Sequence, residues 1–113
     1  MRTPVVADIA VMAKLFRGFS DPTRLGILVQ LLEGERRVTD LVEAVGTSQG
    51  NVSAHLSCLK DCGLVLDRPE KRQVFYRIAS PAVVDVLRSA EALLAIHGHD
   101  IDLCRNYNAP EKV

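Results

Sequence analysis

Tryptophan is absent and only five residues are aromatic, so any core must be built from aliphatic side chains. No apolar run approaches the roughly 18 residues of a membrane-spanning helix. The N-terminus also lacks the charged-then-apolar pattern of a signal peptide. These two absences argue against a membrane partner and make the cytoplasm the expected compartment. Net charge is zero, with 14 Lys and Arg against 14 Asp and Glu, which excludes a surface coated in cations. No Cys-x-x-Cys pair is present, which excludes a thioredoxin-like centre. The odd count of three cysteines, in a reducing compartment, implies free thiols. Three histidines and scattered acids do not assemble a nucleophile, base and orienting carboxylate, so enzyme activity is not expected. Internal repeats and low-complexity segments are missing as well.

What remains is a 113-residue chain with 48% hydrophobic residues, the size of one small domain. So small a domain buries a modest share of its surface, and dimerisation is a natural supplement. Charge is unevenly placed. Residues 67–77 hold four cations (Arg68, Lys71, Arg72, Arg77) against two acids (Asp67, Glu70). Residues 80–113 hold three cations against five acids. A basic segment beside a mildly acidic C-terminal part suits a small, oriented nucleic-acid footprint.

Taken in order, residues 5–19 have a helical period through Val6, Ile9, Ala10, Ala13, Leu15 and Phe16. No neighbouring segment is wide enough to cover that face, and packing against another subunit is one answer. Ser20 or Asp21 caps the next helix, with Pro22 at its first position. Leu25, Ile27, Leu28, Leu31 and Leu32 mark this as a core helix that stops at Gly34. A polar link, Glu35-Arg36-Arg37, leads to a two-turn helix over residues 38–45, capped by Thr39 and ended by Gly46. Thr47 or Ser48 then caps a second helix that closes at Gly63. A short helix, a glycine turn of about three residues and a second helix form the helix-turn-helix pattern.

Two β-type runs, 64–68 and 73–78, flank Pro69-Glu70-Lys71-Arg72. A hairpin in that place is a wing. Ser80-Pro81 caps a long helix reaching about Ile96, with Val83, Val84, Val86, Leu87, Ala90, Leu93 and Leu94 on its apolar side and Gly98 as its breaker. The expected division is a domain over residues 1–98 and a loosely ordered tail over 99–113.

The second helix of the pair carries the chemistry. At about 100° per residue, Val52, Leu56 and Leu59 share the core side, while Gly50, Ser53, Ala54 and Ser57 fall away from it, and Gln49 in the first turn is read with that outer side. Gln49 and Ser53 suit base edges or phosphates, Asn51 flanks them, and Gly50 and Ala54 allow close backbone approach. An ordinary solvated face would look similar. The following wing and the turn spacing favour DNA. Ser48 and His55 complete the expected DNA-binding set on this helix. Arg68, Lys71 and Arg72 at the hairpin would meet phosphates or a minor groove.

Cys58 and Cys62 stand four residues apart, so on one helix their Cβ atoms lie about 5–6 Å from each other. Two thiolates there can share one soft metal ion without backbone movement. Free cysteines also serve as buried filler, a reading stronger for one cysteine than for two in register. Cys104, beyond the long helix, would supply a third sulfur. Three sulfurs suit large soft ions, while tetrahedral zinc wants a fourth ligand. His97, His99, Asp100 and Asp102 lie near enough in sequence to assist.

At Asp21-Pro22-Thr23-Arg24, Ser48-Gln49-x-x-Val52-Ser53-x-His55-Leu56-x-x-Leu59, Gly63-Leu64-Val65 and Gln73-Val74-Phe75-Tyr76 the chain resembles the ArsR/SmtB family of metal-sensing repressors. The match runs over roughly residues 9–95 in the family's order. It implies a mainly α winged helix-turn-helix with a β-hairpin wing, a homodimer through the first and last helices. It also implies a repressor of double-stranded operator DNA that leaves its site when metal binds. The segment Leu56-Ser57-Cys58-Leu59-x-x-Cys62-Gly63-Leu64 is similar to the family's cadmium- and lead-sensing branch. There two thiolates on the recognition helix join a third from the other subunit's C-terminal tail, and Cys58, Cys62 and Cys104 match that set. The implied effector is Cd(II) or Pb(II), with Hg(II), As(III) and Zn(II) as alternatives. The family's long-helix zinc site would fall near Ser80, Ala82, Leu93 and Ile96, none of which can coordinate.

Overall fold

A three-stranded antiparallel sheet in the order β1-β3-β2 lies beside a cluster of short helices. The computed structural model describes residues 6–104. In chain order the elements are α1 (Val6–Phe19), α2 (Pro22–Leu31), β1 (Arg36–Arg37), α3 (Val38–Val45), α4 (Gln49–Asp61), β2 (Val65–Glu70), β3 (Gln73–Ile78) and α5 (Pro81–Leu103). The chain divides into two units after Ser80, so that α5 stands as a unit of its own.

Aliphatic packing carries the first unit. Ile27, Leu28, Leu41, Val52, Leu56, Leu59 and Val65 are fully or almost fully buried. Leu25, expected in that core, is 37% exposed. At the helical 100° per residue it lies about 160° from Ile27 and about 60° from Leu28, at the margin of the buried side. Asp21 caps α2, its Oδ1 accepting from the Thr23 and Arg24 amides at 2.9 and 3.0 Å. Pro22 sits at the start, where its missing amide hydrogen costs nothing.

The stretch expected to be a polar link is β1. Arg36 pairs with Tyr76 and Arg37 with Phe75. A strand of two residues has no alternation to detect, and its pairing is set by a partner far along the chain. This strand also moves the cap of α3. The chain passes straight from Arg37 into the helix, so Thr39 falls within the first turn, and the Asp40 carboxylate accepts the Arg37 amide at 3.1 Å.

The wing is longer and its turn tighter than expected. β2 runs through Glu70, Pro69 pairs with Val74, and Lys71-Arg72 makes the turn. Proline is tolerated because β2 is an edge strand. Lys71 adopts φ 59°, a left-handed conformation uncommon for a side chain of its size.

In the second unit, Gly98 does not break α5, which continues to Leu103. A lone glycine costs about 1 kcal/mol in a helix, which a long helix absorbs. The first five residues expected in a loose tail are therefore helical. Residues 105–113 lie outside the described residues. Val83 and Leu87 are the buried positions of α5, while Leu93, Leu94, Ile96, Ile101 and Leu103 are 39–73% exposed. In the first unit, Ile9, Met12 and Phe16 of α1 form an apolar stripe at helical spacing and are 46–56% exposed. Among the described residues no helix is long and apolar enough to cross a membrane.

Candidate DNA interface and thiol pair

The turn between α3 and α4 is fixed by local chemistry. Gly46 takes φ 80° at the end of α3, the left-handed position that favours glycine. Ser48 is the cap of α4, its Oγ accepting the Asn51 amide at 3.1 Å. The Asn51 side-chain amide donates to Thr47 Oγ1 at 3.1 Å, tying the helix back onto the turn. Thr47 and Asn51 thus hold α4 at its angle to α3, while Gln49, Gly50, Ser53, Ala54 and Ser57 are all exposed along its outer face. Among the described residues nothing engages the side chains of Gln49 or Ser53.

The far end of α4 closes just as firmly. Gly63 has φ 78°, its amide donates to the Lys60 carbonyl, and the Leu64 amide reaches back to the Leu59 carbonyl, both at 2.9 Å. These two bonds define a Schellman motif. It leaves Cys62 as the C-cap residue, one turn beyond Cys58. Both cysteines are exposed free thiols, and all three in the chain are unpaired. On the helix they lie about 40° apart and well away from the Gln49–Ser53 side.

The Cys62 thiol is pushed above its ordinary range by desolvation first, then by the neighbouring Cys58. The positive charge of Arg24 acts in the opposite sense. One turn apart on α4, Cys58 and Cys62 offer two sulfurs to a soft ion that can displace protons. Such a donor set fits the class of metal implied by the sequence. Among the described residues no three His, Cys, Asp or Glu side chains gather into a metal-holding group, so two thiols alone make an incomplete centre. Cys104 follows the last turn of α5.

His55 does not join the outer face of α4. Its side chain is only 18% exposed and its Nε2 lies 4.0 Å from Asp21 Oδ1, the cap of α2. It falls about 60° from Val52 on the helix, beside the core stripe rather than opposite it. The Asp21 carboxyl is held below the usual range by the Arg24 amide first, with the His55 charge adding to it.

The wing cations divide into two groups. Lys71 and Arg72 are exposed at the turn, with no side-chain partner among the described residues. Arg68 is engaged: its guanidinium binds Glu35 at 2.7 and 3.0 Å, approaches Glu70 at 3.2 Å, and stacks over the Phe75 ring at 4.9 Å. These partners hold its pKa above the already high arginine value, the Glu35 hydrogen bond contributing most. Lys60 at the end of α4 meets Asp67 of β2 at 2.9 Å and fastens the helix to the wing.

A groove of about 210 Å³ opens between the starts of α3 and α4 and the wing, lined by Arg37, Val38, Thr39, Gln49, Arg72, Gln73 and Val74. Thr39 and Gln73 had not been assigned to the interface. The signal for Thr39 was its place at the head of the first helix of the pair, which instead suggested a cap.

A helix-turn-helix with an exposed polar second helix and a cation-tipped wing defines a winged helix-turn-helix protein, a class of DNA-binding transcriptional regulators rather than enzymes. Residues 21–66 match the family described as bacterial regulatory protein, arsR family. The chain is 42% identical over 92 residues to the probable mercury resistance operon repressor of Streptomyces lividans, covering 81% of this chain and 74% of that protein. It is 47% identical over 70 residues to the HTH-type transcriptional regulator CmtR of Mycobacterium tuberculosis, covering 62% of this chain but only 59% of that one. The solution structure of a homodimeric winged helix-turn-helix domain from Mycobacterium bovis, described as a possible ArsR-family regulator, superposes with a TM-score of 0.69 at 31% identity. That likeness covers 88% of this chain and 96% of the other. The chain belongs to the ArsR family.

Proposed function

We propose that the chain is a homodimeric, cytoplasmic repressor that binds double-stranded operator DNA and leaves it when Cd(II) or Pb(II) is held by Cys58, Cys62 and Cys104. The observation that carries this reading is the four-residue register of two exposed free thiols at the end of α4, turned away from Gln49 and Ser53. An ion can be held there without occupying the DNA surface. A soft ion bound there would supply strong bonds to deprotonated sulfur. Cys58 and Cys62 contribute the pair already in register, and Cys104 of a second subunit contributes the third.

Gln49 and Ser53 read the groove, Ser48 and Asn51 set the angle of the helix, and Lys71 and Arg72 meet phosphates. The exposed apolar stripe of α1 and the exposed leucines and isoleucines of α5 supply the faces that a dimer would cover. For release, the thiolate-bound state must favour the conformation that does not fit DNA, by about 1–3 kcal/mol or more. Cys62 sits at the junction of α4 with the wing, where a small shift would disturb both DNA-facing elements.

Titrating the reduced protein with Cd(II) tests this reading. Ultraviolet thiolate-to-metal absorption should saturate at one ion per subunit, and affinity for operator DNA should fall. Cys58→Ser and Cys62→Ser should each lose the response while retaining DNA binding. If Cys104→Ser responds to Cd(II) as the wild type does, the three-thiolate site is wrong. The identity with a mercury-operon repressor favours Hg(II) as a second reading. Two thiolates satisfy that ion, so Cys104→Ser would then keep its response to Hg(II).

A further inference from the structure

The sheet order places β2 and β1 on opposite sides of β3, and a single side chain reaches from β2 across β3 to the residue before β1. Arg68 leaves β2, crosses Phe75, its direct partner in register on β3, and closes a two-pronged bond with Glu35 at the threshold of β1. Those residues are 33 positions apart in sequence. On that side the wing's backbone pairs with a strand of just two residues, β1. An arginine fork stacked on an aromatic ring has one favoured orientation, so it fixes a direction as well as a distance.

We propose that Arg68 is a positioning residue for DNA binding: by bridging β2 to Glu35 across Phe75 it sets the angle at which the wing carries Lys71 and Arg72 to the phosphates. Arg68 itself makes no phosphate contact. This rests on the DNA-binding reading above, and it gives Arg68 a different role from its neighbours at the turn. Charge and position part company here. Glu35 is an acid, so removing it would ordinarily help a protein approach DNA. If Glu35 serves to hold the wing, removing its charge weakens binding instead.

The test uses the full chain and a duplex that the wild-type protein selects from a random pool, followed by fluorescence anisotropy over a range of salt. Glu35→Gln is isosteric and should leave the fold intact. It is expected to weaken binding about two- to thirtyfold, the range over which such indirect couplings act. Its salt dependence should be that of the wild type. Arg68→Lys keeps the charge but not the fork, and should weaken binding likewise with an unchanged salt slope. Equal or tighter binding by Glu35→Gln would overturn the proposal. So would full affinity in Arg68→Lys, or a salt slope shallower by about 1.8 per dimer in Arg68→Met, since each lost phosphate contact removes about 0.9. If the wild type enriches no duplex at all, the DNA-binding reading fails and the positioning role falls with it. A duplex bound by wild type and indifferent to Glu35 removes the positioning role alone.

Discussion

Replacing Arg72 with alanine isolates the contribution of the wing tip. Arg72 is exposed, follows the strained Lys71 in the turn, and has no partner among the described residues. Its removal should therefore leave stability within about 0.5 kcal/mol of wild type, as for other surface substitutions that break no contact. Its effect on DNA binding should be large and of one kind. A cation on a phosphate displaces condensed counterions, and each such contact contributes about 0.9 to the slope of log affinity against log salt. A dimer carries two copies, so Arg72→Ala should make the slope shallower by about 1.8. Between about 50 and 200 mM salt, a slope difference of that size narrows the gap between wild type and variant roughly twelvefold. The assay is anisotropy of a labelled duplex at several salt concentrations, repeated with an unrelated duplex. Because phosphate carries no sequence information, both duplexes should lose affinity alike. A slope identical to wild type would refute the phosphate contact. A loss confined to one sequence would mean that Arg72 reads bases.

Two further outcomes follow from the titratable groups. The Asp21 carboxyl is held low by the Arg24 amide and then by His55, so its capping stabilises the fold above the ordinary carboxylate range and fades as pH falls through its lowered value. Asp21→Ala should cost about 1 kcal/mol at neutral pH and progressively less in acid, measured by urea unfolding. The Cys62 thiol is raised by desolvation and by Cys58, so metal must displace its proton. Apparent affinity for Cd(II) should then climb by about tenfold per pH unit for each thiol that gives up its proton, and pH-independent affinity between neutral and mildly alkaline conditions would contradict that chemistry.

Much of the helix-turn-helix was legible because its instructions are local. Gly46, Ser48 and Gly63 each act within a turn of their own position, and all three do what the sequence suggested. The cysteine register was legible for the same reason, since four residues along a helix place two side chains on one side. Features set by distant partners were not. β1 exists only because β3 lies beside it, and it displaced the expected cap at Thr39. Arg68 looked like one more basic residue in a basic hairpin until its fork to Glu35 was in view. The nearness of His55 to Asp21 was not legible either, since that neighbour lies across the fold. Gly98 misled in another way: a helix breaker in isolation is a small penalty within a helix of 23 residues.

The proline in the wing has a consequence for how copies of this chain meet. An open sheet offers rows of unpaired amides and carbonyls to any strand that drifts against it. Here β1 is two residues long, and β2 presents Asp67, Arg68, Glu70 and a proline with no amide hydrogen to give. Neither border can template a neighbour's strand. Two wings brought side by side would therefore have little backbone to exchange.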